Sequence, residues 1–73
     1  MSQKHIDSRI RAAKMTARVI IAESRRERDA TGYRENLAYD RRPELMDCIN
    51  LLVLPYAEEC QILAEFDAAC DSL

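Results

Sequence analysis

The chain has one glycine, one histidine, one phenylalanine and no tryptophan, and lysine and arginine stop at Arg42. Each shortage excludes something. A lone glycine, Gly32, gives no glycine-rich loop to cradle a phosphate. A lone histidine, His5, stands far from Cys48, Cys60 and Cys70, so no Cys–His or Ser–His–Asp arrangement and no zinc-type ligand spacing is legible. No run of 18 apolar residues exists to span a membrane, and the N-terminal MSQKHIDSRIR lacks the apolar core of a secretory signal. The apolar second half carries no basic residue, which argues against lying on anionic lipid. The expectations are therefore no enzyme, no cofactor, no metal and no membrane, with a cytoplasmic location by default.

The three cysteines lie 12 and 10 residues apart. Along one straight helix these separations are roughly 18 and 15 Å. A disulfide needs Cα atoms within about 7 Å, so such a helix cannot bridge them, and they are expected as small apolar core residues.

What is present is helical. Hydrophobic residues make up 48% of 73 residues, with one glycine and two prolines. A single domain of this size buries a thin core and usually gains stability from a partner or a second copy. Ile6, Ile10, Ala13, Ala17, Ile20 and Ser24 recur at alternating spacings of four and three, one stripe of a helix over about 3–30. Gly32 suits its C-terminal cap, as Ser2 suits its N-terminal one. Met15, Val19, Ala12 and Ala22 form a weaker second patch, so this helix is expected to touch more than one neighbour. Lys4, Arg11, Arg18 and Arg25 recur every seven residues with Lys14 beside them. At 100° per residue the five fall within an arc of about 80°. They form either a basic ridge for a partner or a solvated face.

A connector, 31–42, follows, with a short helical turn at 33–38. Tyr33, Arg34, Tyr39, Arg41 and Arg42 are of the types that dominate protein interfaces. With Lys4, Arg11, Lys14, Arg18 and Arg25 they are the candidate partner-binding residues. The second helix, about 41–72, has Asp40 as its expected N-cap and Pro43 in its first turn. Leu45, Ile49, Leu52, Tyr56, Glu59, Leu63, Phe66, Cys70 and Leu73 make a stripe that only Glu59 interrupts. The stripe runs through Pro55 in phase, so the expectation is one helix kinked there rather than two. Its apolar surface is wider than the first helix can cover. Met46, Leu51, Val53, Leu54, Ala57 and Ile62 are left over as a candidate dimer interface.

The expected fold is thus all-α: a two-helix antiparallel hairpin that dimerises into a four-helix arrangement. Charge divides with the halves. Residues 1–42 hold all 11 basic residues and six acids, whereas 43–73 hold seven acids and no base. The functional expectation is a small protein-binding regulator or inhibitor. Phage-type host-takeover proteins that mask a transcription regulator or defence factor have this size and composition. The alternatives are a nucleic-acid-binding dimer using the basic ridge, or a purely structural helical module. An overall pI near 5.3 and the absence of aromatics interleaved with the basic residues disfavour nucleic acid.

Overall fold

A computed structural model describes residues 3–32 and 38–73, with side chains from His5 onward. The described chain is all-α. Helix α1 spans Gln3–Thr31, a single 3-10 turn spans Tyr39–Arg41, α2 spans Arg42–Leu52 and α3 spans Tyr56–Asp71. Among the described residues no helix is long and apolar enough to cross a membrane.

Helix α1, at 29 residues, is about 43 Å long at 1.5 Å per residue. It therefore runs the length of a molecule measuring 45 × 17 × 16 Å. Gly32 ends it in the left-handed conformation (φ 74°), its N–H donating to the Arg28 carbonyl at 2.8 Å. This is the glycine cap that the sequence implies.

The second half is not one kinked helix but two. Helix α2 stops at Leu52, and Val53 adopts φ 53°, ψ 65° while its N–H donates to the Ile49 carbonyl at 3.1 Å. Pro55 is extended (φ −57°, ψ 142°), and its carbonyl accepts from the Glu58 and Glu59 N–H groups at 3.0 Å each. Proline forces its predecessor out of the helical region, so the chain breaks before it and restarts after it.

The break re-aims everything beyond it. In one continuous helix Ile62 would sit about 140° around the axis from Ile49, on a different face. Across the break both are buried, at 1% exposure. The expected stripe holds at Phe66 and Cys70, with Leu63 and Leu73 packed against the core, and misses at two places: Tyr56 is exposed, and Ile62 joins Phe66 and Cys70 on the buried face of α3. Ile62 consequently belongs to the core of the chain and not to an uncovered face.

The resulting arrangement has three helices rather than two. Arg41 lies beside Glu23, Thr16 beside Cys48, and Arg9 beside Leu52, so α2 runs antiparallel to α1. Arg42 pairs with Asp67 and Tyr39 with Asp71, so α3 returns antiparallel to α2. Arg28 meets Leu73, which sets α3 parallel to α1. The core joins Ala13, Ala17, Ile20 and Ile21 of α1 to Ala38, to Leu45 and Ile49 of α2, and to Ile62, Phe66 and Cys70 of α3. Ile6 and Ile10, the first two residues of the α1 stripe, are half-buried.

The alanines matter to this geometry, because small side chains let three helices approach closely. The larger buried side chains contribute roughly 1.5–3 kcal/mol each on removal from water. Ser24 completes the α1 stripe at 2% exposure, its hydroxyl without a hydrogen-bond partner among the described residues. Two arginines of α1 hold the far ends of its neighbours. Arg9 donates to the Leu52 carbonyl at 3.0 Å, and Arg28 donates to the Leu73 carbonyl at 2.9 Å. Carbonyls at a helix C-terminus lack intrahelical donors, and a cation is the favoured group there.

Candidate protein-docking surfaces

Three places on the surface hold the residues that the sequence singles out. The first is a groove of about 320 Å³ between α1 and α3. Ala17 and Ile21 of α1 and Ile62, Phe66 and Ala69 of α3 form its floor. Its α1 wall carries Lys14, Arg18 and Arg25 with Ala22, and its α3 wall carries Glu65. The groove exists because Ala17, Ala22 and Ala69 put no bulk where two parallel helices meet. Towards the start of α1 the same basic face lines a second recess, formed by Asp7, Ile10, Arg11, Lys14, Met15 and Arg18.

Arg11, Arg18 and Arg25 are exposed and Lys14 is half-buried. None of the four has an ion-pair partner among the described residues. Attraction between a basic first half and an acidic second half therefore does not account for the ridge. An ion pair between α1 and a later element has the opposite polarity, Glu23 of α1 with Arg41. Lys4 lies in the first turn of α1, but its side chain is outside the described residues.

The second place is the tip where α2 turns into α3. Leu51, Val53 and Tyr56 are 84%, 72% and 79% exposed. Pro55 and Ala57 beside them are exposed as well. The Tyr56 phenol lies against Cys60, and that hydrogen bond raises its pKa. Of the expected interface, Leu51, Val53 and Ala57 are uncovered, Met46 and Leu54 are half-buried, and Leu54 packs against the core. These six residues therefore do not form one open face. Tyr56 joins the tip in place of Ile62, because the break removes it from the buried stripe.

The third place is the connector end. Tyr33, Arg34 and most of the expected turn at 33–38 lie outside the described residues. Tyr39, Arg41 and Arg42 are engaged within the chain. The Tyr39 hydroxyl donates to Asp71 Oδ1 at 3.0 Å, and this bond, more than burial, raises the phenol pKa. Arg41 donates to Glu44 at 3.1 Å and lies 3.6 Å from Glu23. Arg42 donates to both Asp67 oxygens, at 3.0 and 3.3 Å. Their carboxylate partners raise both guanidinium pKa values further. Asp40 lies inside the 3-10 turn, and the residue preceding α2 is Arg41, which makes no side-chain cap. These side chains clasp α1, α2 and α3 together at one end. Arginine–carboxylate pairs this exposed contribute at most ~1 kcal/mol each.

Cysteine placement departs from the expectation of three core residues: Cys70 is buried, Cys48 is half-buried against Thr16, and Cys60 is exposed. No group of three or more histidine, cysteine or acidic side chains is placed to hold a metal ion among the described residues. Comparison of the chain with protein-family models, with curated proteins and with solved structures gave no match.

Proposed function

We propose that this chain is a small, non-enzymatic protein-binding regulator. In this reading it docks on a larger protein and masks part of its surface, as small inhibitors and host-takeover proteins do, and two copies associate through the α2–α3 tip. The carrying observation is that tip: Leu51, Val53 and Tyr56 project at one end of a chain whose own core is already closed. Large apolar side chains gathered in one exposed place mark an interaction surface. The basic face of α1 shares no residue with the tip and remains available to a different molecule. That unpaired face also favours the second reading, nucleic-acid binding, which would show a steep loss of duplex DNA affinity as salt rises.

Leu51→Glu tests the tip. Leu51 is 84% exposed, so the variant retains its helix content and unfolding midpoint. In light scattering across a concentration series, the wild-type chain reaches twice the single-chain mass and Leu51→Glu stays at the single-chain mass. A wild-type chain of single mass at every concentration refutes association through the tip.

A further inference from the structure

The α1–α3 groove has a more specific consequence. Resting on the reading of the chain as a protein-binding module, we propose that this groove receives one amphipathic helix of a partner protein. That helix carries apolar side chains on its inserted face and carboxylates on the flank next to α1.

Shape comes first. Two parallel helices with alanines at their seam leave a furrow, and the object that fills a furrow between two helices is the side-chain ridge of a third. The furrow holds about 320 Å³ and is floored by Ala17, Ile21, Ile62, Phe66 and Ala69. This is near the lower end of the roughly 300–1,000 Å³ of typical binding pockets. From Lys14 to Arg25 the basic wall extends about 16 Å along α1, or three helical turns. A partner helix of about three turns, with anchors at i, i+3 or i+4, and i+7, matches that length.

Charge then sets the flank. Lys14, Arg18 and Arg25 line one wall, with Glu65 opposite. None of these basic side chains is neutralised by a described acid. Carboxylates along the α1 side of the incoming helix meet this row, and a neutral or basic residue suits the side facing Glu65.

Two other occupants fit less well. Beyond Tyr56 at its first position, the exposed apolar positions along this chain's own acidic helix, α3, are Ala57, Cys60, Ala64 and Ala68, which are too small to fill the furrow. Seating α3 of one copy in the groove of another is also a head-to-tail contact, which extends without closing. Nucleic acid would use the basic row, but it has no use for an apolar floor and would meet Glu65.

The test uses the full chain and two synthetic helical peptides with identical leucine positions, one carrying glutamates on a flank and the other lysines. Binding is read by fluorescence anisotropy. The glutamate peptide is expected to bind at least about tenfold more tightly than the lysine peptide. Ala22→Leu, at an exposed position of α1, fills the groove from its rim, and it should weaken binding about tenfold while thermal unfolding stays unchanged. Arg18→Glu with Arg25→Glu should reverse the preference between the peptides.

Equal affinity for both peptides, no binding of either, or indifference to Ala22→Leu overturns the proposal. So does tight binding of duplex DNA that Ala22→Leu leaves untouched, because the basic face is then a nucleic-acid surface. Leu51→Glu serves as the internal control and should bind the glutamate peptide as the wild type does. If Leu51→Glu abolishes self-association while no peptide binds the wild-type chain, the groove proposal alone falls.

Discussion

Replacing Val53 with glycine should make the single chain more stable, at concentrations below those at which copies associate through the tip. Val53 closes α2 at φ 53°, the only non-glycine residue with positive φ among those described. The left-handed region costs an L-residue roughly 1–2 kcal/mol, and a β-branched side chain belongs at the upper end of that range. At 72% exposure the valine side chain recovers little of this by burial. Glycine removes the conflict, at a cost of about 0.5–1 kcal/mol from the greater freedom of the unfolded chain. The expected net gain is about 1–1.5 kcal/mol. For a domain of this size that corresponds to a rise of roughly 4–12 °C in unfolding midpoint. Val53→Asn should gain a smaller amount, since asparagine tolerates the region, and Val53→Pro should lose heavily because its φ is fixed on the other side of zero. Thermal and urea unfolding followed by far-UV circular dichroism at several protein concentrations measures all three. If glycine and asparagine both destabilise by more than ~1 kcal/mol at every concentration, the valine side chain is supplying contacts that outweigh its strain, and the reasoning fails.

Ser24→Ala should stabilise by about 1 kcal/mol, because it deletes a buried hydroxyl without a partner and improves helix propensity. Urea unfolding checks it, and a loss of similar size would mean that the hydroxyl is satisfied, for instance by a buried water. The protein should also lose stability in alkali. Burial first, then Asp67 and Asp71, raise the Cys70 thiol above its ordinary 9.0 against a lowering by Arg42, and the Asp71 bond raises Tyr39 above 10.0. Groups with raised folded pKa values stabilise fully below their unfolded values, and that stability is lost as pH rises through the folded ones. The decline therefore begins near pH 9 and continues past pH 10. Tyr39→Phe should flatten its upper part in urea melts taken across that range, and an unchanged slope would remove Tyr39 from the account.

The helical class and most of the α1 core stripe were legible from spacing alone: Ala13, Ala17, Ile20 and Ser24 are all buried. A stripe of threes and fours needs only one unbroken helix axis to be correct, and α1 has one. The second half lacks that condition. Counting through Pro55 assumed a continuous axis, which misplaced Tyr56 and Ile62. Glu59 was the visible warning, as an acid in an otherwise apolar stripe. A count restarted after the proline gives Ile62, Phe66 and Cys70, with Ala69 and Leu73 beside them, which is the face that packs. The basic ridge was readable because it belongs to α1 alone. The groove beside it was not, because it needs Ile21 and Ala22 of α1 to meet Ile62, Glu65 and Ala69 of α3, and only the break at 53–55 brings those together.

The unpaired basic row has a price that the free chain bears by itself. Arg11, Lys14, Arg18 and Arg25 repel one another along one side of a single helix, and no described carboxylate forms an ion pair with them. Dissolved ions do so instead, since at physiological ionic strength charges separated by more than about 8 Å hardly feel each other. Added salt should thus firm up the isolated protein while loosening its hold on an acidic helix. The two responses have opposite signs because one set of like charges, held at fixed spacing, lies behind both.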